Sequence, residues 1–295
     1  MPEPLLQRVK SRLFIQSRRP VVHLLDGQYR SITQGRSFEF DDLRDYQAGD
    51  EVRDIDWNAT ARMNTTLVRR FRAERRARVL FLTDLGRNMS ARAANGATKV
   101  DLAITVIGVI GFLAIRHGDE VGLIAGDRDN WIRLPFRTRE KDLERLLQRI
   151  QSAVSAEAEL SDLPGMLERA RTMLSQRSMV VVVADEFSWI DGVEASVRQL
   201  AARHDVVWIE IADADPVPIN PRERSFDVSG SWRMPELLRG DAKLRAEYEW
   251  TTEHMRAARE HVLVSSGASY IRIGDEADVV AALLRGLKVR SRVRR

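Results

Sequence analysis

The sequence predicts an α/β protein built on a doubly wound, largely parallel sheet, with a charged N-terminal subdomain and a C-terminal extension. Short β-branched runs alternate with helical patterns over residues 77–213, and such alternation is typical of a parallel sheet with helices on both faces. The run Met179–Ala184 is apolar throughout, as expected of a central strand that is buried on both sides. The length of 295 residues is enough for one large domain or two modest ones.

The middle region, residues 77–213, predicts its elements in a regular order, because runs of alternating or continuous apolar residues favour strands and spacings of three or four favour helices. The predicted strands are Arg78–Thr83, Asp119–Ala125, Trp131–Leu134, Ser178–Ala184 and Asp205–Ala212, and the predicted helices are Lys99–Arg116, Arg139–Ala153, Leu163–Leu174 and Ile190–Arg203.

The two flanking regions differ from the middle region in charge and in the periodicity of their apolar residues. Residues 1–76 are charged and show little long-range periodicity, and we interpret them as an N-terminal subdomain. Residues 214–295 begin with a cluster of prolines, continue with a long polar helical pattern, and end in a predicted strand (Ser269–Ile273), a predicted helix (Glu276–Leu287) and a basic tail. We therefore predict boundaries after residues 76 and 213.

Composition and charge exclude several classes of protein. The chain has no cysteine, which excludes disulfides, thiolate metal sites and cysteine nucleophiles. The net charge is +4, but the last eight residues carry five cations and no acid, so the basic character lies in the tail. The longest apolar run, Leu102–Ile115, is too short to span a bilayer. We expect a cytoplasmic protein without membrane insertion.

The usual catalytic motifs are missing from the sequence, so we expect no enzymatic activity. There is no phosphate loop, no G-x-S-x-G elbow and no H-E-x-x-H. Two predicted strands are each followed by an aspartate, Asp84 and Asp185, at the carboxyl edge where sheets of this class place ligands. The alternative is a metal-dependent hydrolase or phosphotransferase that uses this pair. The simpler interpretation is that each aspartate caps the turn that follows it.

The segment 38–78 has the most unusual charge pattern. Seven acids fall within residues 41–56, and seven arginines fall within Arg62–Arg78. The two blocks could pair with each other, each pair contributing little, or could form an electrostatic docking face for a protein partner. Nucleic-acid binding through the Arg62–Arg78 cluster and the basic tail is a further alternative. The adjacent acids argue against it.

The same segment contains an ordered series of charged and aromatic residues: Arg44, Tyr46, Gly49, Asp50, Glu51, Arg53, Ile55, Asp56, Trp57, Ala61 and Arg62. This series resembles the signature of the bacterial domain-of-unknown-function-58 family, and the resemblance extends over nearly the whole chain. We expect the signature to be mainly structural, with Asp50, Arg53 and Asp56 in ion pairs and Trp57 as a buried anchor. An exposed Trp57 would instead favour partner docking.

The resemblance implies a von Willebrand factor A-like domain directly after the signature. Such domains hold Mg²⁺ through a D-x-S-x-S loop, a later threonine and a later aspartate. Mg²⁺ prefers six oxygen ligands in octahedral geometry. Here the first hydroxyl is absent and an asparagine replaces the second, so the site is degenerate. The corresponding residues are Asp84, Gly86, Asn88, Ser161 and Asp185.

The resemblance also implies a function and partners. Genes of this family often stand beside genes for MoxR-type AAA+ ATPases. The chain is therefore expected to be a non-enzymatic adaptor for protein–protein interaction. Its expected partners are a MoxR-type AAA+ ATPase and an unidentified client protein, in chaperone-like assembly or activation of other proteins.

Overall fold

The computed structural model describes residues 4–16, 24–29, 40–47, 55–63, 65–71, 76–93, 96–214 and 241–293. In these ranges a two-stranded antiparallel ribbon precedes a six-stranded sheet with helices on both faces. The predicted α/β class and the doubly wound, largely parallel sheet are confirmed. The strands are β1 (Phe40–Asp45), β2 (Leu67–Phe71), β3 (Arg78–Asp84), β4 (Glu120–Gly126), β5 (Trp131–Arg137), β6 (Met179–Asp185), β7 (Asp205–Ile211) and β8 (Ser269–Ile273).

The six-stranded sheet has the order β5-β4-β3-β6-β7-β8. Every neighbouring pair is parallel except β4 and β5, which are antiparallel. The chain builds one half of the sheet outward from β3, crosses back to β6, and builds the other half. Strands β3 and β6 therefore meet at the point where the order reverses, and ligands bind sheets of this class outside the carboxyl ends of those strands.

The helices divide between the two faces of the sheet. Helices α1, α2, α4, α5 and α9 pack on one face, and α6, α7 and the C-terminal half of α8 pack on the other. The helices are α1 (Leu5–Gln16), α2 (residues 24–29), α3 (Trp57–Met63), α4 (Lys99–Arg116), α5 (Glu140–Ala153), α6 (Leu163–Met173), α7 (Val193–Ala201), α8 (Ala242–Ser265) and α9 (Val279–Val293).

Burial explains why the central elements form where they do. Every residue of β6 is buried, because helices cover both faces of the sheet there. Helix α4 begins after Thr98, whose side chain accepts a hydrogen bond from the backbone N–H of Asp101, a standard N-cap. Most of its 18 residues are buried. The predicted and observed limits of α4 are identical.

The observed elements differ from the predicted ones mainly at α9 and β5. The helix predicted at Glu276–Leu287 is observed at Val279–Val293, so it includes most of the predicted basic tail. The sequence indicates a short strand at Trp131–Leu134, whereas β5 continues to Arg137 as the edge strand of the sheet. Exposed and half-buried residues alternate along it, because one face of an edge strand packs on the core while the other meets solvent. Pro135 is tolerated because it lies on an edge strand.

Helix α1 is part of the main core, although it precedes the charged segment in the sequence. Leu5, Val9 and Leu13 are buried in the cluster that includes α4 and α5. The backbone N–H groups of Leu5 and Leu6 donate to the two carboxylate oxygens of Glu144, at 3.0 and 2.7 Å. The predicted domain boundaries stay predictions. None of the helices in the described ranges is long and apolar enough to cross a membrane.

We predict that Glu144→Ala lowers the free energy of unfolding by about 1–2 kcal/mol, because it removes the acceptor of two N–H groups at the start of α1. The matched control is Glu140→Ala on the same helix, which removes only the partly exposed ion pair with Lys10 and costs about 0.5 kcal/mol or less. Urea denaturation measures both. Equal losses would show that Glu144 does not cap α1.

Candidate functional site

Three aspartates lie side by side at the carboxyl edge of the sheet. Asp84 ends β3, Asp185 ends β6, and Asp213 follows β7 and forms an isolated bridge with Ala93. Asp84 and Asp185 are buried at the point where the strand order reverses. The structure thus places side by side the two aspartates that the sequence analysis singled out at this edge.

Ser188 joins Asp84 to Asp185. It lies at the end of a 3-10 turn (Glu186–Ser188), and its backbone N–H donates to Asp185 Oδ1 at 2.9 Å. Ser188 Oγ lies 2.6 Å from Asp84 Oδ2 and 2.6 Å from Asp185 Oδ1. A hydroxyl has a single hydrogen to donate, so Ser188 donates to one of the two carboxyl groups at a time. The Ser188 hydroxyl thus bridges the two aspartates.

Asp84 is a weaker acid than an ordinary aspartate. Burial raises the pKa of Asp84 to about 6, with a further contribution from the neighbouring Asp185. Hydrogen bonds, including one from the backbone N–H of Gly86 at 2.8 Å, oppose the rise only in part. Asp185, in contrast, accepts from a cation, since Lys99 Nζ lies 3.0 Å from Asp185 Oδ2.

Lys99 is a buried cation at the centre of the cluster. It is the first residue of α4, it is 1% exposed, and its Nζ lies 3.0 Å from Asp185 Oδ2 and 2.8 Å from Asp213 Oδ2. Burial lowers the pKa of Lys99, but the two carboxylates outweigh it and raise the pKa above its usual value. Lys99 is therefore a charged ammonium that links the ends of β6 and β7.

The loop around residue 160 closes the crevice next to Asp84. A Cβ atom on Gly86 would lie 2.8 Å from the backbone nitrogen of Ser161 and 3.2 Å from the carbonyl carbon of Leu160, so only glycine fits there. The Ser161 hydroxyl is close enough to lower the pKa of Asp84, although it makes no standard hydrogen bond within the described part of the chain. Arg87 Nε donates to the carbonyl of Ala158 at 2.9 Å.

The structure brings together four of the five residues proposed from the sequence: Asp84, Gly86, Ser161 and Asp185. Asn88 lies in the 3-10 turn Arg87–Ser90 that follows them. Sequence reasoning missed three members of the cluster. Two had a visible signal, since Ser188 stands three residues after Asp185, which is the spacing of an N-cap contact, and Asp213 also follows a strand. Lys99 is one of only five lysines and directly precedes the apolar run of α4.

These residues do not fit a bound Mg²⁺. That ion needs six oxygens in near-octahedral geometry. Here Asp185 and Asp213 already hold the Lys99 ammonium, and Gly86 offers no side-chain oxygen. Across the described ranges, no group of three or more acidic or histidine side chains is arranged to hold a metal ion. The degenerate adhesion-type site has thus become a closed ionic cluster.

The signature segment forms the ribbon and the short helix that precede the sheet. The backbone N–H of Tyr46 donates to the carbonyl of Thr66 at 2.9 Å, and Ile55 bridges Val68 on β2. Asp56 Oδ1 accepts from the backbone N–H groups of Asn58 and Ala59 at 3.1 and 3.0 Å. Asp56 therefore caps α3, a role that the sequence analysis did not assign.

The expectation that Trp57 is a buried anchor is wrong, because Trp57 is 63% exposed. It is the first residue of α3, and none of the seven residues of that helix is buried. Ile55 and Val68 fill the buried positions beside it instead. Tyr46, Arg62 and Met63 are exposed as well.

Several signature residues and cations lie outside the described residues. These are Gly49, Asp50, Glu51 and Arg53, the side chain of Arg44, the side chains of residues 69–75 within the Arg62–Arg78 cluster, and the side chains of the tail, residues 288–295. The expected ion pairs of Asp50 and Arg53 therefore stay predictions.

Comparison with known proteins identifies the family. The chain matches the family described as "Protein of unknown function DUF58" over residues 42–258. It belongs to that family. Similar proteins include the uncharacterized proteins Rv1480 of Mycobacterium tuberculosis and Mb1516 of Mycobacterium bovis, each 26% identical over 277 residues, which are 91% of this chain and 84% of the relative.

Solved structures similar to this DUF58 protein include von Willebrand factor A domains. A von Willebrand factor type A protein from Catenulispora acidiphila is 10% identical with a TM-score of 0.42, over 74% of this chain and 43% of that chain. An aerotolerance-related membrane protein from Bacteroides fragilis, with multiple mutations to serines, is 13% identical with a TM-score of 0.45, over 72% of this chain and 99% of that chain. The strand order and the helices on both faces confirm the von Willebrand factor A-like fold class that the resemblance implied.

We predict a pH-dependent stability effect of Asp84. Below about pH 4 the Asp84 carboxyl group is largely neutral in both the folded and the unfolded protein. Between about pH 4 and 6 only the folded protein keeps this proton. The free energy of unfolding therefore falls as the pH rises through this range and then levels off. A pKa of about 6 against an ordinary 3.8 corresponds to about 3 kcal/mol.

Asp84→Asn tests this effect, because an amide does not titrate and can still accept from Gly86 and donate to Ser188. The stability difference between variant and wild type should grow in favour of the variant by up to about 3 kcal/mol between pH 4 and pH 7. Urea denaturation at the two pH values measures it. An unchanged difference would contradict the raised pKa.

We predict that Gly86→Ala lowers the free energy of unfolding by about 1–3 kcal/mol, because its Cβ would press against the backbone of Leu160 and Ser161. Gly27→Ala is the control, since a Cβ there meets nothing within 4 Å and alanine favours the helix of residues 24–29. Thermal unfolding compares the two variants. An equally small effect at both positions would show that the loop at Leu160 and Ser161 moves to accommodate the added methyl group.

Proposed function

We propose that this DUF58 protein is a non-enzymatic adaptor that binds other proteins through the exposed part of its signature segment. We define the docking face as the surface around Trp57, in the segment that also exposes Tyr46, Arg62 and Met63. The observation that carries the proposal is the 63% exposure of Trp57 at the start of α3. A tryptophan left in water retains a large apolar surface that a partner can bury.

The composition of the docking face suits a protein partner. Aromatic residues, methionine and arginine are enriched at protein interfaces, and tryptophan, tyrosine and arginine supply most of the binding energy there. Helix α3 is held in place by the Asp56 cap and by a hydrogen bond from the backbone N–H of Leu67 to Thr60 Oγ1 at 3.0 Å. A presented and ordered side chain loses less entropy on binding than a flexible one.

The closed cluster at the sheet edge supports a role in binding over a role in catalysis. Asp84 and Asp185 are buried, joined through Ser188, and in part neutralised by Lys99. A hydrolase or phosphotransferase would need those carboxylates to reach a substrate or a metal ion. Their enclosure argues against that alternative.

The proposed partners follow from the family resemblance. The adaptor binds a MoxR-type AAA+ ATPase and an unidentified client protein, and it acts in the cytoplasm in chaperone-like assembly or activation of the client. The acidic and basic blocks of residues 41–78 would steer the encounter with a partner of complementary charge.

A binding measurement with matched tryptophan variants tests the proposal. Trp57→Ala is compared with Trp250→Ala, because Trp250 on α8 is also 63% exposed but lies outside the signature. The ligand is the purified MoxR-type ATPase encoded by the same genome, with ATP analogue or ADP, titrated by calorimetry. We expect Trp57→Ala to weaken binding at least tenfold, as for an interface hot spot, and Trp250→Ala to leave it unchanged.

Stability measurements accompany this comparison, and both variants should unfold at the wild-type temperature because both side chains are exposed. Equal loss of affinity in the two variants would place the interface elsewhere. Failure of the wild-type protein to bind the ATPase in either nucleotide state would reject this partner.

A further inference from the structure

We infer that the Lys99 ammonium takes the place of a divalent cation at the carboxyl edge of the sheet, where it balances the charges of Asp185 and Asp213 with a cation of the protein's own chain. The inference concerns the sheet edge and is independent of the docking face. It implies that the wild-type crevice needs no metal, and that removing Lys99 turns the crevice into a site for a divalent cation.

The position of Lys99 needs an explanation beyond local structure. Lysine is almost never fully buried unless it is paired, yet Lys99 is 1% exposed. It also stands in the first turn of α4, where the helix macrodipole disfavours a positive charge. Neither burial nor the helix favours an ammonium here, so the carboxylates of Asp185 and Asp213 must hold it.

Contacts other than those with Lys99 fix the positions of its two partners. Asp185 Oδ1 is engaged by Ser188, which leaves Oδ2 for the ammonium at 3.0 Å. Asp213 is fixed by its bridge to Ala93 and offers Oδ2 at 2.8 Å. The Phe187 ring lies over the ammonium, with its centroid 5.9 Å from Nζ, which adds a cation–π contact.

A divalent cation and the ammonium exclude each other. Both would sit against Asp185, and two positive charges a few ångströms apart in a buried site repel strongly. The neighbouring positions give no compensation, because Gly86 brings no hydroxyl and the Leu160–Ser161 backbone lies where its side chain would extend. Without Lys99, however, Asp185 and Asp213 would face each other with no cation between them.

The test uses the full chain and thermal unfolding, in excess EDTA and then with Mg²⁺ or Mn²⁺ added over a range of concentrations. Lys99→Ala is compared with wild type and with Lys10→Ala, a control that removes a partly exposed lysine paired with Glu140. We expect the wild type and Lys10→Ala to unfold at the same temperature with and without cation. Lys99→Ala should unfold about 10 °C lower in EDTA, as expected for an unpaired buried charge, and should recover in a saturable manner with either cation.

A second variant covers the case in which Lys99→Ala does not fold. The double variant Lys99→Met/Asp185→Asn removes the ammonium together with one negative charge, so it should fold and be indifferent to Mg²⁺. Failure of the double variant to recover stability would overturn the inference.

Two further results would overturn it. One is a wild-type unfolding temperature that falls in EDTA or rises with Mg²⁺, since the crevice would then already use a metal. The other is a Lys99→Ala variant that is as stable as Lys10→Ala, or that is destabilised and gains nothing from either cation.

Discussion

The contact of the Lys99 ammonium with Asp185 and Asp213 is the interaction on which the carboxyl edge of the sheet depends. A parallel sheet directs the ends of its strands to one edge, and here β3, β6 and β7 are all followed there by aspartates. Without a cation, the buried carboxylates would repel each other across neighbouring strands. The ammonium links β6 to β7, and the Ser188 hydroxyl links β3 to β6.

The same principle continues along the edge. Glu210 on β7 accepts from Arg259 Nε of α8 at 3.0 Å and from the Tyr270 hydroxyl at 2.7 Å. Glu186, directly after β6, lies 3.9 Å from Arg259 Nη2, and burial raises its pKa. These contacts attach α8 and β8 to the centre of the sheet. Buried acids at this edge thus find cations within the chain, which makes the edge a structural joint more than a binding surface.

The proposed docking face lies instead where large side chains are exposed to water. Helix α3 buries none of its residues, yet it is capped and attached to a ribbon by backbone pairing. A short element that contributes so little to the core, but presents Trp57 in a defined position, is better explained by a partner than by folding. The carboxyl edge and the docking face thus differ for a physical reason. Charges that are paired within the chain contribute little to binding a ligand, whereas an exposed aromatic side chain can be buried by a partner.

The sequence by itself determined the fold class, the limits of α4, the position of two aspartates at one edge, and the family, because periodicity records local burial and an ordered motif records descent. Three features followed only from tertiary contacts. Lys99 is the cation that pairs with Asp185 and Asp213, Trp57 is exposed, and the edge strand β5 continues to Arg137. Lys99 and Asp185 are 86 positions apart, and Ser188 and Asp84 are 104 apart. Such contacts depend on the order of the strands, which local patterns do not encode, and a tryptophan in an amphipathic motif is equally compatible with a core and with an interface.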